Sequence, residues 1–95
     1  MASAAEVRHD EVHARFLVDH GDGLSLLQYR KHEEPRVMHM IRTFVAPAHR
    51  NRGWGAVLVE AALEHARAEG YRVTSSCWFV DAYLDEHPEY AALRG

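Results

Sequence analysis

The most informative part of the sequence is Val45-Ala-Pro-Ala-His-Arg-Asn-Arg-Gly-Trp-Gly55. In it a predicted strand ends, a loop follows and a long predicted helix begins. Residues 36–45 alternate with the period of a strand, and residues 54–66 carry apolar side chains at helical spacing. The first turn of a helix presents unpaired backbone N–H groups with positive partial charge. With two glycines and the cations Arg50 and Arg52 beside it, this turn favours a phosphate site. A plain loop with an exposed basic patch is the alternative that the spacing leaves open.

The residues on either side of this stretch predict the order β-β-β-β-α-β-α. The predicted strands lie near 7–9 and at 15–19, 24–30, 36–45 and 71–76, and the helices lie at 53–69 and from just past Cys77 to about His87. A polar connection covers 31–35, and Pro88 begins a last turn. The unit from 36 to 76 is expected to be a right-handed parallel crossover. The fold class is therefore mixed α/β, a single sheet packed by two main helices.

Regular alternation assigns the side chains of the strongest strand to two faces. One face is predicted to carry Val37, His39, Ile41, Thr43 and Val45, and the other Met38, Met40, Arg42 and Phe44. His39 and Arg42 are thus expected on opposite faces of this strand.

Length and composition bound the class of protein. The chain has 95 residues, 47% of them hydrophobic and 26% charged, which fits one globular domain over 1–95 with residues 1–5 frayed. No apolar run approaches the ~18 residues of a membrane span, and the N-terminus has no apolar core of a signal peptide. We therefore expect a cytoplasmic protein that binds no membrane. The net charge of −3 argues against nucleic acid as the main partner.

Two further counts bear on the kind of site. Ten of the eleven cations are arginine, so an anion site is expected to be built from arginine. The eight histidines are scattered, and His9-x-x-x-His13 would fit a metal only on a helix, which is not predicted there. We expect no metal site. The single cysteine, Cys77, excludes an intrachain disulfide.

The loop Arg50-Asn-Arg-Gly-Trp-Gly55 resembles the R/Q-x-x-G-x-G/A loop of the GNAT N-acetyltransferase superfamily, where it holds the pyrophosphate of acetyl-CoA. The segments Arg42-Thr-Phe-Val45, Cys77-Trp-Phe-Val80 and His87-Pro-Glu-Tyr90 are similar to those of its small single-domain branch. The resemblance implies acetyl-CoA as cofactor, an amine of unknown identity as acceptor, and nine cofactor-binding residues: Thr43, Phe44, Val45, Arg50, Asn51, Arg52, Gly53, Trp54 and Gly55.

The chain departs from this family in two places. Arg42 stands where the small branch usually has histidine. Full-sized members place two helices between their first and second strands, and these wall off the acceptor site. Here only about five residues separate the predicted first strand from Arg15, so there is no room for the early helix pair. Either a large acceptor supplies its own wall, or a second subunit does, as in a homodimer.

Two residues are predicted to take part in catalysis. Cys77 lies where a strand ends and a helix begins, a place that favours the thiolate, although a small buried packing thiol is the alternative. Tyr83 lies where larger relatives keep a tyrosine that protonates the leaving thiolate; the alternative is an aromatic side chain packed on the sheet. The predicted function is acetyl-CoA-dependent N-acetyl transfer, and the alternative is a module that binds CoA or acyl-CoA without turnover.

Overall fold

A computed structural model describes residues 2–95, whose five strands form one sheet in chain order. The first four strands are antiparallel neighbours and the fifth lies parallel to the fourth. The elements are β1 Arg8–Asp10, β2 Arg15–Asp19, β3 Leu24–Glu33, β4 Arg36–Phe44, α1 Trp54–Glu69, β5 Arg72–Ser75 and α2 Trp78–Glu86. The predicted order and the parallel crossover are confirmed.

Both helices pack on one face of the sheet. On β2, β3 and β4 alternate residues are buried under the helices, among them Phe16, Leu27 and Met40, and α1 fills the space above them with Leu58. The intervening residues, such as Leu17 and Leu26, are half-exposed, and no helix of the described chain packs against them. We call this second side of the sheet the open face.

One extra residue in β4 changes which way its last residues point. Gln28 of β3 pairs with Arg42 and the next residue, Tyr29, pairs with Met40, so Ile41 is left without a partner. Such a β-bulge inserts one residue and shifts the two-residue alternation. The prediction of regular alternation through residue 45 is therefore wrong beyond Met40.

The bulge exchanges the two faces for the end of β4. Thr43 lies opposite the buried Leu27 and so belongs to the helix side, with Met40. Arg42 joins His39 on the open face, contrary to the predicted separation of these two side chains. A bulge leaves no mark in a pattern of apolar and polar residues, which is why sequence alone could not place it.

Two predicted boundaries also differ. Residues expected to be frayed form a 3₁₀ turn at Ala4–Glu6, because the Ser3 hydroxyl accepts the N–H of Ala5 at 3.3 Å; Met1 lies outside the described residues. The predicted connection at 31–35 is shorter, since β3 continues to Glu33 by pairing with the start of β4.

Leu58 offers a test of the packing between α1 and the sheet. Its side chain is fully buried, so Leu58→Ala should lower the free energy of unfolding by roughly 2–5 kcal/mol through lost burial and a residual cavity. Val12→Ala is the matched control at an exposed position and should change it by less than about 0.5 kcal/mol. Urea denaturation measures both, and equal midpoints for the two variants would contradict the assignment of the core.

Two histidines pack at the edge of the core and make stability depend on pH. The His9 ring stacks on Phe16 at 4.1 Å, and His65 Nε2 accepts a hydrogen bond from Lys31 Nζ at 2.9 Å. Burial lowers the pKa of both histidines below the ordinary value of 6.5. The unfolded chain therefore takes up protons first, so this stability is complete above the unfolded pKa and is lost as pH falls below it.

We expect the urea midpoint to fall between about pH 7.5 and about pH 5.5, above the range where carboxylates titrate. His65→Gln should reduce that fall, whereas His32→Gln, at an exposed position of β3, should leave it as it is. A midpoint that rises on acidification would have the opposite sign to this account.

Candidate active site

The site begins where β4 and β5 separate. The two strands pair only from Val37 with Arg72 to Met40 with Ser75, and the last bond runs from the N–H of Ser76 to the carbonyl of Met40 at 3.0 Å. Beyond it β5 turns into α2, while β4 continues through the bulge to Phe44. Among residues 2–95 nothing pairs with this edge of β4, so a gap opens in the sheet and main-chain groups are left available to a ligand.

A cleft of about 490 Å³ lies at the mouth of this gap. It brings together all the predicted cofactor-binding residues except Arg52, which is exposed and is not part of its wall. The wall consists of Thr43, Phe44, Val45, Arg50, Asn51, Gly53, Trp54, Gly55, Ala56, Trp78 and Phe79. Sequence reasoning missed Ala56, Trp78 and Phe79 as parts of the wall, although the two aromatic residues lie in the quoted segment 77–80.

The helix end that faces the cleft is uncapped. Gly53 is the N-cap of α1 with φ 87° and carries no side chain to bond the first turn. The first bond of the helix runs from the N–H of Val57 to the carbonyl of Gly53 at 3.1 Å. The N–H groups of residues 54–56 consequently have no partner within the helix, and their partial positive charge faces the cleft.

The two glycines are needed for different reasons. Gly53 has a left-handed backbone conformation that side chains disfavour, while the space beside it is open. At Gly55 a Cβ would lie 2.8 Å from Cζ of Phe79, so this glycine lets α1 and α2 approach each other. From the sequence, both glycines were expected either to let a phosphate approach or to serve the turn alone, and the contact with Phe79 was not foreseen.

Hydrogen bonds hold the loop that carries Arg50. The Arg50 Nε–H donates to the Val45 carbonyl at 3.0 Å, and its guanidinium lies 5.8 Å from the centre of the Phe44 ring. Its two Nη groups make no hydrogen bond within residues 2–95. The fully buried Ser25 accepts the N–H of Ala46 at 3.0 Å, which ties the start of the loop to β3. The Arg50 guanidinium is thus held at the cleft wall, and its Nη groups remain available to donate to a ligand.

A pair of stacked histidines supports the same loop. The rings of His20 and His49 are 3.8 Å apart and nearly parallel, and His20 Nε2 lies 2.7 Å from the Ser25 hydroxyl. His49 Nε2 lies 2.9 Å from a carboxylate oxygen of Asp22, and this hydrogen bond lowers the pKa of Asp22. Neither histidine is part of the cleft wall, so both act on the loop rather than on a ligand.

Cys77 faces Thr43 across the gap. Its thiol is nearly buried, at 9% exposure, and Sγ lies 3.8 Å from Oγ1 of Thr43, which belongs to the cleft wall. The Ser75 hydroxyl accepts the N–H of Cys77 and donates to its carbonyl, both at 3.0 Å. Cys77 is the N-cap of α2, as predicted, and reaches the cleft through Thr43.

Tyr83 lies on α2 in a neighbouring cleft. That cleft has a volume of about 250 Å³ and shares Ala56, Trp78 and Phe79 with the first. The Tyr83 ring is buried and stacks on His87 at 3.9 Å. Burial raises the pKa of Tyr83, so its hydroxyl stays protonated at neutral pH. The ring of Tyr83 is thus packed in the interior, as expected for a structural aromatic residue. Its hydroxyl still carries the proton that a proton donor needs.

Residues 2–95 contain neither a cluster of metal ligands nor a helix that could span a membrane. Within residues 2–95 no group of three or more histidine, cysteine, aspartate or glutamate side chains converges as metal ligands do. In the same range no helix combines the length and the apolar character that crossing a bilayer requires.

Three similarities to known proteins bear on the family of this chain. Residues 15–93 match the GCN5-related N-acetyl-transferase family. The chain is 29% identical over 87 residues to Protein NATD1 of Gallus gallus, across 87% of this chain and 76% of that protein. The NMR structure of a GCN5-like protein from Staphylococcus aureus superposes with a TM-score of 0.72 at 23% identity, over 99% of this chain and 91% of that one, which shows a common fold.

The family match spans both sides of the gap, from β2 through the loop and α1 to the last turn after α2. Those are the elements that form the cleft, its uncapped helix end and the facing pair Thr43 and Cys77. The chain therefore belongs to the GCN5-related N-acetyltransferase family.

Proposed function

We propose that the protein transfers the acetyl group of acetyl-CoA to an amine. The observation that carries this proposal is the uncapped N-terminus of α1, which faces a cleft at the mouth of the gap between β4 and β5. Acetyl-CoA carries the acetyl group as a thioester. When the amine attacks the thioester carbonyl, a C–N bond forms, the C–S bond breaks, and CoA leaves as the free thiol. The residues present fit such a molecule on two separate grounds.

The first ground is charge. A pyrophosphate needs several donors, and the free N–H groups of residues 54–56 with the Nη groups of Arg50 offer them at one place. Gly53 leaves this approach open, since a Cβ there would meet nothing closer than 3.8 Å.

The second ground is the free edge of β4. The amide groups of an extended arm can pair with a strand edge as a neighbouring strand would, and residues 42–44 have no partner on that side within the described chain. Thr43 and Cys77 would then flank the end of the arm.

The reaction needs a proton for the leaving thiolate and a place for the proton of the amine. Cys77 and Tyr83 are the two groups proposed to serve here. The thiol of Cys77 stands beside Thr43 at the N-cap of α2, where it borders the gap. Tyr83, whose hydroxyl keeps its proton at neutral pH, lines the adjoining cleft.

A CoA-binding module without turnover is the second candidate. The observation that favours it is the cleft wall itself, whose eleven residues include no aspartate, glutamate or histidine to take a proton. Steady release of free CoA in the presence of an amine separates the enzyme from the module.

Binding of acetyl-CoA should stabilise the fold. At about 100 times its dissociation constant the ligand should add about 2.7 kcal/mol and raise Tm by on the order of 10 °C. Arg50→Gln should weaken binding by roughly tenfold or more, because it removes charge-assisted hydrogen bonds to phosphate. Arg52→Gln should weaken it less, since Arg52 lies outside the cleft wall.

Arg94→Gln is the matched control, because Arg94 pairs with Asp85 far along the chain from the loop and touches no part of the cleft. Differential scanning fluorimetry with and without ligand measures the shift for each variant. An unchanged Tm of the wild-type chain at millimolar acetyl-CoA would remove the proposal.

Cys77→Ala should lower kcat about 10²-fold, as expected for a lost acid–base group, and should cost only about 1 kcal/mol of stability. Intact-mass spectra with acetyl-CoA and no amine should show no acetylated protein, because the transfer is proposed to be direct. A wild-type rate in Cys77→Ala together with a slowed Tyr83→Phe would assign the proton transfer to Tyr83 instead. Severe unfolding of Cys77→Ala would identify the thiol as a structural one.

A further inference from the structure

The open face carries a charge opposite to that of the whole chain. Strand residues on this face include five arginines, Arg8, Arg15, Arg30, Arg42 and Arg72, against two aspartates, Asp10 and Asp19. Those seven residues give the face a formal charge of +3, although the full chain carries −3. The positive side of the molecule is therefore the side that no helix covers.

Four polar residues form a row across this face. The pairing registers place Asp10, Arg15, Gln28 and Arg42 side by side on β1 to β4. The Arg15 Nε–H donates to Asp10 at 3.0 Å, so these two charges balance each other. Arg42 is exposed, and its guanidinium makes no hydrogen bond or ion pair within residues 2–95. A cleft of about 270 Å³ lies over Arg15, Gln28 and Arg42 of this row.

The bulge connects this row to the acetyl site. Because Ile41 is unpaired, Arg42 lies on the open face while the next residue, Thr43, faces Cys77 from the helix side. Phe44, also on the open face, is part of the wall of the larger cleft. The open face and the gap therefore meet at the end of β4, one residue from the proposed place of transfer.

We infer that the open face binds the acceptor, and that the acceptor is a protein segment in which the reacting amine lies beside carboxylates. This inference rests on the proposed function. Arg42 binds the carboxylate nearest the amine, since a guanidinium fork matches a carboxylate with two parallel hydrogen bonds. Arg8 and Arg30, whose side chains make no hydrogen bond within residues 2–95, attract further acidic side chains.

The shape and the side chains of the face select this class of partner. The cleft over the row is lined by side chains of three neighbouring strands, β2, β3 and β4, so its occupant lies across the sheet, as an extended chain would. Half-exposed Leu17 and Leu26 lie next to the row and offer apolar contact. Single-stranded RNA would need aromatic platforms for its bases, and Phe44 is the one Phe, Tyr or Trp among the described strand residues of this face.

Fluorescence anisotropy of three labelled peptides with the full chain tests the inference. Each peptide has one lysine, flanked by glutamates, by glutamines or by arginines. The glutamate peptide should bind roughly tenfold more tightly than the glutamine peptide, and the arginine peptide should bind most weakly. Arg42→Gln should remove most of the difference, and Arg94→Gln, whose charge lies off this face, should keep it.

Turnover of the same peptides with acetyl-CoA separates this inference from the proposed function. Preferential binding with acetylation supports both. Preferential binding without any acetylation contradicts the proposed activity and keeps the acceptor surface. Equal binding of the three peptides overturns the inference, whatever the turnover, and so does a preference that survives in Arg42→Gln. Tighter binding of a short RNA than of the glutamate peptide would overturn it in favour of nucleic acid.

Discussion

The extra residue Ile41 in β4 is the constraint on which the rest of the site depends. It moves Thr43 to the helix side, within 3.8 Å of the Cys77 thiol, and Arg42 to the open face. It also coincides with the end of pairing between β4 and β5, so the edge of β4 is free where the cleft begins. In a regular strand Arg42 would lie on the helix side with Met40, and Thr43 would lie on the open face. The two proposed halves of the site, donor and acceptor, are separated by a single bulge.

The electrostatics of the molecule follow the same division. The helix end at Gly53 and the cation Arg50 make one positive place, suited to the phosphates of a cofactor. The arginines of the open face make a second one, suited to carboxylates. Because the whole chain has a net charge of −3, the rest of the molecule outside these two positive regions carries a net negative charge. The presence of ten arginines and a single lysine matters here, since arginine holds both phosphate and carboxylate with a planar fork of donors.

Much of the fold could be predicted because its signals are local. The alternation of β2 to β4, the helical spacing after Gly53 and the cap at Gly70 each lie within a few residues, and the predicted element order is confirmed. The loop residues of the cleft wall were predictable because the motif Arg50–Gly55 is also local and resembles a family pattern. The faces on which Arg42 and Thr43 lie could not be predicted, because the bulge depends on how β4 pairs with β3. Trp78 and Phe79 joined the cleft wall only through the packing of α2 on α1 at Gly55.

The most direct test of the central claim is an NMR titration of the ¹⁵N-labelled chain with CoA, because the claim is that the uncapped helix end and the free edge of β4 form one ligand site. The largest changes in backbone amide chemical shift are expected at residues 53–56 and 42–45 together, and both groups should fit a single dissociation constant. The change at Leu17 on the open face should be small. Shifts confined to the open face, or shifts at the helix end with none on β4, would contradict it.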